Sequence, residues 1–231
     1  MTGNMKLASL GFTALLALAG CTNLFKSDAK PEQTYVLRAP SVKAEVAAPA
    51  AGTDGAASAA SAAAALAVLQ VAHPLSAPGL EGPHIMLVQA DHRMNFYLGS
   101  RWPAPLPDLV EALAADTLRA TGEWQSIEDS GSPFPAQYLL QISVRRFDAD
   151  YTRGGSAPTV EVELDCTLGA RGGREPVASF VAEGSASASG DRMHEVVDAF
   201  ARASDAAFIS LAQQTAASAR AFAAAESSAR H

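Results

Sequence analysis

The chain has 231 residues, with 17 Lys and Arg against 24 Asp and Glu, 48% hydrophobic and 6% aromatic residues, and two cysteines. That length allows one ordinary domain of about 100 to 200 residues and hardly two. A net charge of −7 without a basic block argues against nucleic acid, which is bound mainly through Lys and Arg on phosphates, and two cysteines cannot build a disulfide scaffold.

Met1 to Lys6 carry one positive charge, Leu7 to Ala19 form an uncharged apolar run, and Leu18-Ala19-Gly20-Cys21 closes it. Residues 1–20 read as a secretory signal; the run falls short of the about 20 apolar residues that span a membrane. Leu18, Ala19 and Gly20 before Cys21 resemble a bacterial lipobox, in which the thiol is diacylated, the signal is removed and the new N-terminus is acylated. An ordinary signal with an incidental cysteine would need a cut elsewhere. Two or more acyl chains on Cys21 make a stable anchor, at about 0.8 kcal/mol per buried CH₂. Thr22 is not the Asp that marks inner-membrane retention in enterobacterial sorting, and this favours the outer membrane. Loss of Lys6 with the signal leaves a more acidic mature chain, so the acyl chains must do the anchoring.

Residues 21–33 read as a polar tether and 34–40 as a first strand, Thr34-Tyr35-Val36-Leu37 being β-prone and ended by Pro40. From Lys43 to Ala65 the sequence is nearly all Ala, Ser, Gly and Pro, with no large apolar residue beyond Val46. Alanine favours helix but buries little area, so 41–65 is expected to be a low-complexity linker. If Tyr35 joins the sheet, the tether from Thr22 to Thr34 spans at most about 45 Å at roughly 3.5 Å per residue. If order starts only at Leu66, the leash is a longer coil of about 35 to 40 Å.

A folded domain is expected over 66–215. Leu66 to Val71 forms a strand candidate; Pro74, Pro78, Gly79, Gly82 and Pro83 punctuate a loop before Ile85-Met86-Leu87-Val88, and Asn95 to Leu98 is another short strand. Leu106, Leu109, Val110, Leu113 and Leu118 recur at helical spacing between Pro105 and Thr121, with Gly122 at the C-cap position. Trp124 to Ile127 starts the next strand. Tyr138, Leu140, Ile142 and Val144 alternate, and Phe147 breaks the phase, which predicts a bulge at Arg145-Arg146. Val160 to Leu168 alternates apolar and acidic residues strictly, the pattern of a sheet with one wet and one buried face. Gly169 to Pro176 forms a turn, and Val177 to Ala182 the return strand. Asp191 is the expected N-cap of a long helix whose stripe is Met193, Val196, Val197, Phe200, Phe208 and Leu211, and the Ala-rich tail over 216–231 is expected to fray. The order predicts a two-layer α+β fold, a mostly antiparallel twisted sheet with two amphipathic helices on one face.

Several pieces in this order resemble the ABC-type transport auxiliary lipoprotein family, whose best-known branch is the lipoprotein of the paraquat-inducible intermembrane transport system. They are the lipobox, Tyr35-Val36-Leu37, Pro78-Gly79-Leu80, and Asn95-Phe96-Tyr97 leading into Arg101-Trp102-Pro103-Ala104-Pro105-Leu106. The strands at Tyr138 and Val160 and the run Val196 to Ala203 in the last helix complete the set. The long Ala-rich insertion departs from the family pattern. The resemblance implies an outer-membrane lipoprotein facing the periplasm of a Gram-negative bacterium, which docks an inner-membrane ABC transporter and an MCE-domain protein in lipid transport between the membranes. It implies no enzymatic activity and no cofactor, and no Gly-x-x-x-x-Gly-Lys-[Ser/Thr] loop occurs. An envelope lipoprotein that regulates peptidoglycan synthesis or outer-membrane assembly is the alternative.

Neither catalysis nor a metal is suggested by the residues. His73, His84, His92, His194 and His231 form no ligand spacing, although His84 and His92 could meet across a turn. Cys166, in phase with Val162, Leu164 and Leu168 and flanked by Asp165, is expected to be buried and unreactive. The candidates for a partner interface are Arg101 and Trp102, an Arg-aromatic pair of the kind enriched at hot spots, and the acidic strand face Glu161, Glu163 and Asp165. Trp102 has a second reading, as a side chain that covers the helix start and closes the core.

Overall fold

The alternation of Val160, Val162, Leu164, Cys166 and Leu168 with Glu161, Glu163 and Asp165 leaves one arrangement that buries the first set and wets the second: an extended strand covered on one side. In the computed structural model, which describes residues 31–41, 65–173 and 176–229, that strand runs from Thr159 to Ala170, one strand in from an edge of a nine-stranded mixed sheet. The elements in chain order are β1 (Gln33–Thr34), β2 (Leu69–Val71), β3 (Leu75–Ser76), β4 (His84–Val88), β5 (Met94–Arg101), α1 (Leu106–Thr121), β6 (Ile127–Glu128), β7 (Tyr138–Asp150), β8 (Thr159–Ala170), β9 (Pro176–Ser187) and α2 (Met193–Ala229). The signal, the lipobox with Cys21, and nearly all of 41–65 lie outside the described residues.

The fold is α+β. Its long strands β7, β8 and β9 form an antiparallel meander, and β4 and β5 form a hairpin. The short strands β2, β3 and β4 join β7 in parallel along its length, and β6 and β1 extend the sheet in parallel beyond β2 and β5. The N-terminal segment reaches the sheet at Gln33–Thr34, and Tyr35 donates its N–H to the Arg101 carbonyl at 2.9 Å.

At the predicted phase break, register shifts between Val144 and Arg146, so Arg145 is the extra residue of a bulge. Before it, Leu140, Ile142 and Val144 face the core; after it, Phe147 and Ala149 do, opposite Val162 and Val160. Without the bulge, Phe147 would turn outward and Arg146 inward.

Both helices cover the core side. α1 has Pro107 in its first turn and ends at Gly122, whose left-handed φ of 65° lets its N–H cap the Arg119 carbonyl. Asp191 does not cap α2: the helix starts at Met193, the Glu195 carboxylate accepts the Arg192 N–H at 3.0 Å, and Asp191 instead accepts a short bond from the Tyr151 hydroxyl. The helix also continues past Thr215 to Ala229. Its alanines are a contact surface, with Ala216 and Ala219 buried, Phe222 edge-on to Tyr138 at 6.4 Å, and Arg220 paired with Glu123 at 3.2 Å. Small residues let α2 lie close on the sheet. At Gly184 a Cβ would sit 1.9 Å from the Ala203 carbonyl oxygen and 2.8 Å from the Ala207 nitrogen. From Gln33 onward these elements form one unit.

Candidate functional site

The side of the sheet away from the helices has register rows that run straight across the strands. One row is Phe96, Met86, Asp148, Glu161 and Ser185; the next is Arg146, Glu163 and Glu183; a third is Met94, Val88, Asp150, Thr159 and Ser187. Cross-strand partners share a face, so acidic strands lie in the centre and apolar ones toward the β5 side. Met94 and Phe96 are half-exposed there, and Leu98, in the irregular stretch before Arg101, is 85% exposed.

The central charges are organised. Arg146 bonds Asp148 at 3.0 Å and Asp150 at 2.9 Å, Arg145 bonds Asp165 at 2.5 Å, and Arg153 pairs with Glu161 at 2.7 Å. Burial pushes the Asp148 carboxyl up, and Arg146 does not compensate because it shares its guanidinium with Asp150. Burial acts on Asp150 too, but the Thr152 hydroxyl and N–H together with Arg146 outweigh it and hold that carboxyl below the usual range. Arg146 itself loses some basicity to burial and more than regains it from the two aspartates. Glu163 and Glu183 face each other directly, and an open groove of about 410 Å³ lies along Arg146, Glu161, Glu163, Glu183 and Ser185.

Of the interface candidates, Glu161, Glu163 and Asp165 therefore lie together on the uncovered face of β8. Arg101 stands apart on β5, separated from them by β4 and β7, with its Nε–H on the Trp102 carbonyl at 3.3 Å. Trp102 is not available as an anchor. It is fully buried, edge-on to Phe200 at 5.3 Å and to Phe147 at 6.1 Å, and its backbone N–H donates to the Pro83 carbonyl. The core takes it because the chain before α1 must close over the aromatic cluster that the β7 bulge turns inward.

The remaining chemistry is structural. Cys166 is buried, and burial next to Asp165 pushes its thiol up to about 12. His84 opens β4 and stacks on Phe96 at 4.5 Å, whereas His92 sits in the turn at the other end of the β4–β5 hairpin, so the two do not meet. His73 bonds Glu111 at 3.0 Å beside a groove of about 310 Å³ lined by Asp108, Asp116, Arg119 and Asp129. Among the described residues no three His, Cys, Asp or Glu side chains gather as a metal site, and no helix is long and apolar enough to cross a membrane.

Sequence reasoning did not find the apolar flank at Met94, Phe96 and Leu98. Their period-two spacing was its signal, but which face of β5 they occupy depends on the parallel joining of β4 to β7.

Comparison with known proteins agrees with this architecture. The sequence model of a family described as ABC-type transport auxiliary lipoprotein component matches residues 49–216, more than half of the chain. The crystal structure of a Xanthomonas campestris protein of the DUF330 family is similar over 69% of this chain and 88% of its own, at 23% identity and a TM-score of 0.63. That of an uncharacterized protein is similar over 64% and 90%, at 16% identity and a TM-score of 0.53. At these identities the likeness is one of fold. No curated protein matches the sequence.

Proposed function

Because the chain belongs to the ABC-type transport auxiliary lipoprotein family, we propose that it is the lipid-anchored accessory subunit of an MCE-type intermembrane transport system, docking the complex at the outer membrane through protein contacts. In this reading residues 1–20 are removed, Cys21 carries the acyl chains, 21–33 are the tether, and the α+β domain faces the periplasm. With β1 starting at Gln33, the tether from Thr22 to Glu32 reaches at most about 40 Å, at roughly 3.5 Å per residue.

The observation that carries the proposal is the uncovered sheet face, where charged side chains are held in place by partners of opposite sign without any helix over them. Fixing long side chains in one geometry costs rotamer entropy, and the most exposed of these pairs, Arg145 with Asp165, returns little stability. Such a surface suits recognition. Glu161, Glu163 and Asp165 form the contact surface in this reading, and Met94, Phe96 and Arg101 lie on β5, beyond β7 and β4 on the same sheet. The subunit works without catalysis or cofactor.

Affinity isolation of the full-length lipoprotein from detergent-extracted membranes is expected to recover an MCE-domain protein and inner-membrane ABC transporter components. Cys21→Ser should weaken or abolish that recovery. A deletion strain should lose membrane integrity, read as entry of a normally excluded dye. Absence of any MCE-domain protein together with an intact barrier would overturn the proposal. Recovery of a peptidoglycan synthase or an outer-membrane assembly factor would move the function to the alternative class.

A further inference from the structure

Strand β9 is the edge of the sheet: it pairs with β8 and with no other strand among the described residues. The register decides which of its backbone groups are used. The Ala188 N–H bonds the Pro158 carbonyl at 2.9 Å, one step beyond the Thr159–Ser187 pair, so the even-numbered residues of β9 bond to β8. The odd-numbered ones, from Val177 to Ser187, turn their N–H and C=O groups away from it. Gln214 donates to the Val181 carbonyl at 3.2 Å and Arg202 to that of Ser187 at 2.8 Å. The carbonyls of Ser179, Glu183 and Ser185, and the N–H groups of the row, face solvent.

An edge of 12 residues is long. Protein edges of this kind are usually kept short or blunted by lysines, prolines or bulges, because an open ladder is a template for another strand. β9 has one proline, at its first residue, and its register with β8 is regular from Ala178 to Ser187.

Charge selects what would pair there. In the row Arg146, Glu163, Glu183, the arginine is committed to Asp148 and Asp150 on its own strand. Two glutamates are left opposite each other, an unfavourable cross-strand pair. The next position in that row, one strand spacing beyond Glu183, lies at the end of the acidic groove and is the place for a cation. A second copy of this chain, whose net charge is −7, would bring more acid to it. On the helix side, Ala182 and Gly184 are buried under α2, so side chains that an added strand turns that way must be small.

We propose that β9 accepts an extended segment of a partner protein as a tenth strand, with Lys or Arg alternating with small residues and one basic side chain opposite Glu183. Main-chain bonds to Ser179, Glu183 and Ser185 supply affinity, and the acidic row supplies register. The inference rests on the docking role above and names the chemistry of the docked segment.

The test places a photoreactive benzoylphenylalanine at Ser179 or Ser185 of the full-length, lipidated protein in intact cells, with Ala224 on α2 as control, and maps the adducts by mass spectrometry. Adducts from both β9 positions are expected in one segment with basic residues at alternate positions, and none from Ala224. Ser185→Pro removes an outward N–H at a position where an edge strand tolerates proline, and is expected to lower the yield at Ser179 at least tenfold. Glu183→Lys should do the same without lowering the melting temperature, since it also relieves the repulsion with Glu163, and it serves alone if the proline variant does not fold. Absence of adducts at β9, adducts in an acidic or helical segment or in a second copy, or yields that neither variant changes would overturn the inference. If an MCE-domain protein is still recovered while β9 gives no adduct, the inference fails and the function stands. If β9 captures an alternating basic segment of a protein unrelated to transport, the inference stands and the function fails.

Discussion

Two neighbouring rows of the same three strands behave in opposite ways. Phe147, Val162 and Gly184 face the helices, fully packed, with α2 so near that glycine alone fits at the third position. One residue away, Arg146, Glu163 and Glu183 face outward under no cover, with two like charges abutting. The bulge at Arg145 separates the two sets by moving β7 one residue in phase. Packing and burial account for the first row in full. Among the described residues nothing accounts for the abutting Glu163 and Glu183 as a stabilising arrangement, and this supports the proposed reading of the outer row as a surface kept for a partner.

Substitutions on the two sides should therefore differ in size and in sign. Trp102→Ala, on the core side, is expected to cost about 3–5 kcal/mol, since it empties the space beside the stacked Phe147–Phe200 pair; chemical denaturation of the purified domain measures it. Gly184→Ala should follow at about 1–3 kcal/mol, because the helix must back away from its new Cβ. A melting temperature unchanged by either would break the contrast. On the outer side, Glu163→Gln should stabilise, by about 0.2–1 kcal/mol, through relief of its repulsion with Glu183. That variant should at the same time recover less partner from membranes, which sharpens the contrast to a trade of binding against stability.

The smallest effect concerns pH and lies away from both rows. Burial acts to raise the Glu111 carboxyl, but the Ser130 N–H and His73 outweigh it and lower its pKa. A depressed carboxylate stabilises the fold above its ordinary range, and that contribution is lost as pH falls through the lowered value. Glu111→Gln should make the acid side of the stability profile shallower, as followed by circular dichroism from neutral pH downward.

The legible parts of this molecule are those in which local pattern and tertiary role coincide. The acidic alternation of β8, the phase break at Phe147 and the glycine that ends α1 are each set by near neighbours in the chain, and each appears where periodicity placed it. Elements held by distant partners were not readable in the same way. β3 and β6 are two residues each, and their existence depends on β7 and β2. The end of α2 looked like a fraying alanine tail because the residue that seats it, Phe222, acts through Tyr138 in another element. Trp102 showed the same ambiguity within the candidate site: its chemistry suits an interface or a core, and only the position of Phe200 decides. The acidic face was visible in sequence, whereas the free edge beside it was not, since an edge is a property of the whole sheet.

The most direct test of the docking account is a crosslink map of the wild-type lipoprotein in intact cells, made with a reagent that joins carboxylates to lysines. The account predicts links from Glu161, Glu163, Asp165 or Glu183 to lysines of an MCE-domain protein, lost when the outer row is reversed by Glu163→Lys. Links that come only from the helix side, or that lead from the outer face to a peptidoglycan synthase, would contradict it.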